Sequence, residues 1–298
     1  MKPVLFSVSY AGFWGQARLS AEEFVAHARS LGYPAVELAG KRPHVSPLDY
    51  QGAKLDALCD CCTKHGVEVA CLAAYTNFSP DPAATEVPTI DLQVQYVESL
   101  ARMARTLHCP LVRVFTAYER RQVPAGTAWQ LVVTALQECC DRAAEHGVTI
   151  GLQNHHDVAV HSKALAELMR DVGRQNCKLM LDPWSPCLRG EPAFETARDL
   201  ASSVVYTTVA DYVRLPRARY RPELVNYERL EPDLARAVPM GEGDLDTLRF
   251  VEGLRAGGFD GPIAYEMCSP VRGGGQRENL DRCARRFLDW LRQNGFSK

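Results

Sequence analysis

The sequence predicts an α/β protein of the (β/α)8 barrel class, and three observations carry that reading. Amphipathic segments alternate strictly with short β-branched runs along the whole chain. Glycine or a polar turn closes the helical segments, as parallel strands joined by crossovers require. Eight such units fit into 298 residues with no linker or composition break. A single barrel routinely reaches that size, so the chain reads as one domain over residues 1–298, with an open doubly wound sheet as the alternative topology.

The elements follow in order. Val4–Val8 is the first strand. Ser20 and Glu23 form a capping box that opens a helix ending at Gly32. Ala35–Leu38 is the second strand, and its helix ends at Gly66. Val67–Leu72 follows, then a helix from about Asp91 to near His108. Leu111–Phe115 is the fourth strand, with a helix to Gly147. Val148–Leu152 is the fifth, with a helix from Ser162 to Gly173. Lys178–Leu181 is the sixth, with a shorter helix around Ala193 to Ala201; Val204–Val209 is the seventh, with a helix ending at Gly257, and Pro262–Tyr265 is the eighth. A helix from Arg277 to Asn294 closes the series. Between Asp211 and Gly243 the reading is irregular: a long loop that holds Arg214, Arg217, Arg219, Arg221 and Arg229 with Tyr212, Tyr220 and Tyr227, expected to serve as a lid or binding loop, with a solvated mixed-charge loop as the alternative.

Composition narrows the function. With 34 Lys+Arg against 36 Asp+Glu the formal charge is -2, which argues against nucleic acid as the main ligand. No stretch approaches the roughly 18 apolar residues of a membrane span. Eleven cysteines, an odd number and partly paired inside helical patterning, read as reduced thiols filling the interior of a cytoplasmic protein. Cys59, Cys62 and His65 share a C-x2-C-x2-H spacing, but a structural zinc site needs a fourth ligand.

In such a barrel the chemistry lies at the C-terminal ends of the strands. There the sequence places Ser9 and Tyr10, Glu37 with Lys41, Arg42 and His44, Tyr75 and Asn77, Arg113 and Thr116, Gln153 to Asp157, Asp182, Thr208 to Asp211, and Glu266. Lys41, Arg42 and Arg113 are candidates for binding a carboxylate, phosphate or enolate oxygen, with Glu37, His44 and Asp211 beside them. Surface solvation competes for Lys41 and Arg42, whereas Arg113 interrupts an apolar strand. Trp14 and Phe13 offer an apolar wall against a sugar ring, or ordinary packing.

The segments Gln153-Asn154-His155, Leu181-Asp182-Pro183, Thr208-Val209-Ala210-Asp211, Gly241-Glu242-Gly243-Asp244-Leu245-Asp246 and Tyr265-Glu266, in order and at barrel spacing, resemble the xylose isomerase-like TIM barrels of the sugar phosphate isomerase/epimerase superfamily. The resemblance implies one divalent metal held by Glu, Asp, His and Glu from strands five to eight. Here those positions are Gln153, Asp182, Thr208 and Glu266, and a further family histidine falls on Ser185. Two carboxylates and an amide oxygen suit Mn2+ or Mg2+ rather than zinc. Glutamine cannot take up a proton, so the family's symmetric two-carboxylate epimerisation is weakened.

What remains is a one-base scheme: Glu266 removes a proton α to a carbonyl while a metal or a cation steadies the enolate. His155 or His156, with an ordinary imidazole pKa near 6.5, is the expected second acid or base; the competing reading is a capped turn with both rings satisfied by backbone. The expected activity is isomerisation, epimerisation or elimination on a keto-sugar or related polyhydroxy carbonyl compound. A lyase acting on an oxidised glycoside, and a barrel that has lost catalysis and binds a sugar or a partner subunit, are the alternatives. The expected partner is a small sugar-like molecule, with association into a homo-oligomer left open.

Overall fold

The computed structural model describes residues 1–297. Eight parallel strands close into a barrel: β1 (Lys2–Phe6), β2 (Ala35–Ala39), β3 (Glu68–Ala73), β4 (Leu111–Val114), β5 (Thr149–Gln153), β6 (Cys177–Leu181), β7 (Val204–Val209) and, after an inserted hairpin, β10 (Pro262–Tyr265). Around the barrel β1 pairs with both β2 and β10, and β10 with β7. The expected fold class is therefore the observed one.

Helices cover the barrel: α1 (Ala21–Ser30), α2 (Ala53–His65), α3 (Thr89–Thr106), α4 (Ala125–Ala144), α5 (Ser162–Val172), α7 (Ala193–Leu200), α8 (Thr247–Ala256) and α9 (Arg277–Gln293). The short α6 (Trp184–Leu188) was not foreseen. Both halves of the Ser20/Glu23 capping box are formed. Gly66 and Gly173 end their helices in the left-handed region, as helix-terminal glycines do. The first strand begins and ends earlier than expected, and Ser7–Tyr10 forms a 3-10 turn that carries the chain over the barrel rim.

The strand period of two builds the interior in layers. Val4, Ala35, Leu111, Met180, Tyr206 and Ala264 form an apolar layer inside the barrel, separate from the larger core between strands and helices. Two residues further along the same strands, the inward positions are Phe6, Glu37, Arg113, Asp182, Thr208 and Glu266. The apolar floor and the polar mouth are thus consecutive layers of one pattern.

The segment expected to be irregular is a long antiparallel hairpin, β8 (Asp211–Arg221) with β9 (Asn226–Val238), registered from Asp211↔Val238 to Arg221↔Asn226. The register shift between Leu215 and Arg217 takes up Pro216, which has no N–H to give the ladder. Most of the hairpin is exposed on both faces, so no period-two contrast in hydrophobicity announced it. Two of its arginines are ion-paired at the surface, Arg221 with Glu223 and Glu228, Arg229 with Glu231.

The first and last elements are tied by one carboxylate. Asp281 on α9 accepts from the Tyr10 hydroxyl at 2.8 Å and from His27 Nε2 at 2.7 Å. Arg277 lies 2.9 Å from His27 Nδ1. A guanidinium only donates, so Nδ1 accepts and Nε2 carries the proton towards Asp281. Asp281→Ala leaves a fully buried tyrosine hydroxyl unpaired. Urea unfolding of that variant is expected to show a loss of about 2–3 kcal/mol with an unchanged m-value.

Candidate active site

A cavity of about 370 Å³ opens at the C-terminal end of the barrel, lined among others by Trp14, Lys41, Tyr75, Arg113, Gln153, His155, His156, Asp182 and Glu266. Larger hollows lie on the outer helical wall. One of about 610 Å³ beside α9 is lined by Arg272, Arg286 and Glu242, which pair with one another and include no strand-end group.

Arg113 is the largest fully buried side chain in the protein. One terminal nitrogen donates to Gln153 Oε1 at 3.2 Å and the other to the Ala74 carbonyl at 3.1 Å, while Nε has no partner among the described residues. Its guanidinium lies over the rings of Phe115 at 4.3 Å, Tyr75 at 4.9 Å and Phe6 at 5.4 Å. Glu37 Oε1 approaches only to 3.8 Å, and its Oε2 accepts from Tyr206. A positive charge therefore sits in an apolar-walled mouth with Glu37 at 3.8 Å as its ion-pair partner and no carboxylate within hydrogen-bond distance among the described residues.

Burial dominates the acidity of the carboxylates. Glu37 is pushed up to about 7, Arg113 opposing and Glu266 adding to the shift. Asp182 is likewise pushed up to about 7, although its Oδ2 accepts from Gln153 Nε2 at 3.0 Å and its Oδ1 from the Ser185 amide at 3.2 Å. Burial raises Glu266 too, against the Cys268 thiol donating at 3.1 Å and the field of Arg113. Asn154 fixes the strand end beneath Asp182 by bonding both its amide and its carbonyl.

The two histidines differ from expectation in acidity. Burial lowers both to about 4, so both are neutral at physiological pH. His155 Nδ1 accepts from the His156 amide at 2.8 Å, and His156 Nε2 donates to the Thr76 carbonyl at 3.1 Å. With Nδ1 accepting from the backbone amide, a neutral His155 carries its proton on Nε2, and His156 Nδ1 lies 2.9 Å from His155 Nδ1. His156 is stacked on Tyr118 at 4.0 Å. His155 is therefore a neutral donor rather than a poised base.

Of the other expected site residues, Trp14, Lys41 and Arg113 reach the cavity and Glu37 lies buried beside Arg113. Three do not. Arg42 is exposed and forms a fork with Asp49. His44 is buried, stacked on Phe24 and bonded to the Leu19 carbonyl. Asp211 clamps the following loop: its Oδ2 accepts from Gly241 and Gly243 and its Oδ1 from Tyr212. Gly243 has to be glycine, since a Cβ there would lie 1.8 Å from that carboxylate. Sequence reasoning missed Cys268 and the wall formed by Trp184 and Tyr212, whose rings meet at 4.2 Å. Cys268 follows Glu266 at the alternation that returns a side chain to the same face, which was the available signal.

The expected metal set does not fit these residues. Because Arg113 can only donate, Gln153 must turn its oxygen to Arg113 and its NH2 to Asp182. Both Asp182 oxygens are engaged by N–H donors. Thr208 stands where an imidazole is expected, lies outside the cavity lining, and its hydroxyl has no partner among the described residues. Among the described residues no three His, Cys, Asp or Glu side chains converge as metal ligands.

Fold and cavity together define a (β/α)8 barrel with ionisable groups gathered at the mouth of its strands. The family model for the xylose isomerase-like TIM barrel matches residues 25–294, and the chain belongs to that family. Among solved structures it is similar to a xylose isomerase domain protein from Alicyclobacillus acidocaldarius (18% identity, TM-score 0.73, 100% of both chains). It is similar also to D-psicose 3-epimerase from Clostridium cellulolyticum H10 (16%, 0.72, 98% of this chain and 99% of that one). A third is a probable 3-DHS dehydratase involved in petrobactin synthesis from Bacillus anthracis (17%, 0.71, 98% and 99%). No curated protein sequence matches the chain.

Glu37 gives a pH test of this electrostatic picture. Its folded pKa, about 7, lies above its unfolded value, so between roughly pH 4 and 7 the folded state binds the extra proton and this group's contribution to stability falls as pH rises. Glu37→Gln removes that contribution. The stability difference between variant and wild type, from urea unfolding, is expected to move in the variant's favour across that window, by up to about 1.4 kcal/mol per pH unit.

Proposed function

We propose that the protein is an isomerase, epimerase or lyase acting on a keto-sugar or related polyhydroxy carbonyl compound, beginning with removal of a proton α to the carbonyl. The observation that carries this reading is the buried Arg113 guanidinium, held among aromatic faces with Glu266 within reach of its field and its Nε–H uncommitted among the described residues. Such a fixed cation stabilises an enolate far better than water does, because it needs no reorganisation when the charge develops. The epimerase and dehydratase among the similar structures accord with this class.

In the scheme, Glu266 takes the α-proton and the C–H electrons move onto the carbonyl oxygen. Arg113 meets the resulting negative charge, and His155 Nε2–H donates to the substrate as a neutral imidazole. Returning the proton to the neighbouring carbon, or to the opposite face, completes isomerisation or epimerisation. Elimination is the second reading, and Gln153 favours it: the amide offers no second base, whereas Asp182, with its raised pKa, carries a proton for a departing β-hydroxyl.

The scheme is tested by incubating the protein in D2O with a panel of ketoses and oxo acids and following deuterium uptake or loss of water by mass spectrometry. Glu266→Gln is expected to lower the exchange rate about a thousandfold and Arg113→Met by a hundredfold or more, roughly. Exchange is expected to persist in EDTA, with metal analysis finding far less than stoichiometric Mn or Mg. Absence of exchange or elimination with every substrate would refute the proposal.

A further inference from the structure

The cavity is polarised in a way that the proton-transfer scheme does not require. Lys41 extends from beyond β2 into the mouth, its ammonium 3.6 Å from the centre of the Tyr75 ring and 4.6 Å from that of Phe13. Arg113 lies over the same Tyr75 ring at 4.9 Å. Two cations thus converge on one aromatic side chain. The Lys41 ammonium has no ion pair and no hydrogen bond among the described residues. The neighbouring Arg42, by contrast, is neutralised by Asp49.

Bringing two like charges together in a half-buried site costs free energy, which a bound anion beside them would offset. Burial and the field of Arg113 accordingly lower the Lys41 pKa. The two ring contacts favour the charged ammonium, which argues for an ion-binding lysine rather than a free amine awaiting a carbonyl. The opposite wall, with Asp182 and Glu266, excludes an anion from that side, although burial leaves Asp182 short of full charge at neutral pH.

We infer that the substrate is an oxo acid, a polyhydroxy ketone bearing a carboxylate, and that Lys41 binds the carboxylate at the Tyr75 side of the cavity. This rests on the reaction proposed above and narrows its substrate class. A monoanion fits better than a phosphate dianion. A single ammonium and the spare guanidinium N–H form a small donor set, and the facing wall is itself acidic.

Calorimetric titration of the full chain with D-fructose, 5-keto-D-gluconate and D-fructose 6-phosphate tests the inference without relying on turnover. The keto acid is expected to bind at least about tenfold more tightly than fructose. Lys41→Met is expected to erase that preference and Lys41→Arg to restore most of it, with added salt weakening keto-acid binding alone. Equal binding of fructose, preference for the phosphate, an unaltered preference in Lys41→Met, or no binding of the keto acid would each overturn the inference. Deuterium exchange on fructose without carboxylate preference would leave the proposed reaction standing. A Lys41-dependent preference without exchange on any substrate would do the reverse.

Discussion

The mouth of this barrel is organised around a charge that is expensive to bury. A guanidinium removed from water needs compensation by hydrogen bonds or counter-charge. Arg113 receives two neutral acceptors, three aromatic faces and a carboxylate held beyond hydrogen-bond distance. That partial compensation accounts for much of the surrounding chemistry. The Gln153 amide is orientated by Arg113, and Asp182 is in turn met by the amide's NH2 rather than by a cation. A glutamate at 153 would close an ion pair with Arg113 and neutralise it. With glutamine there, the guanidinium keeps its field for whatever enters the cavity.

The barrel was legible because its signals are local and repeated. Each helix stop and each β-branched run is set by nearby residues, and eight repetitions left little freedom in topology. The depth of the mouth was legible in part. Glu37, Arg113 and Glu266 sit at inward positions of buried strands, and the strand period is enough to place them inside. Beyond the strand ends that period no longer holds. Arg42, His44 and Asp211 are close to the mouth in sequence, yet turn to Asp49, to the helix layer and to the Gly241–Gly243 loop. The β8–β9 hairpin escaped notice for a different reason: a two-stranded ribbon exposed on both faces has no buried face to impose alternation.

The histidines show where sequence runs out at the level of chemistry. Adjacent imidazoles at a strand end suggest proton transfer, and an ordinary pKa would suit it. Enclosure between Phe115 and Tyr118 removes the solvation that supports the charged form. The backbone amide of His156 and the Thr76 carbonyl then fix one tautomer for each ring. Acidity and tautomer both follow from tertiary contacts that no spacing rule encodes, and they change His155 from a base into a donor.

The order of strands around the barrel converts these local features into a direction. β2, β3 and β4 are adjacent, so Lys41, Tyr75 and Arg113 share one arc of the rim. β6, β7 and β10 are adjacent on another, with Asp182 and Glu266 at their ends. A ligand bridging the arcs turns its electron-rich oxygens to the cations and its acidic C–H to the carboxylates. Parallel pairing puts all of these ends at the same face, and closure brings the arcs within one small cavity. The sense in which a carbonyl compound lies in the site therefore follows from strand order, before any specific contact to the substrate is made.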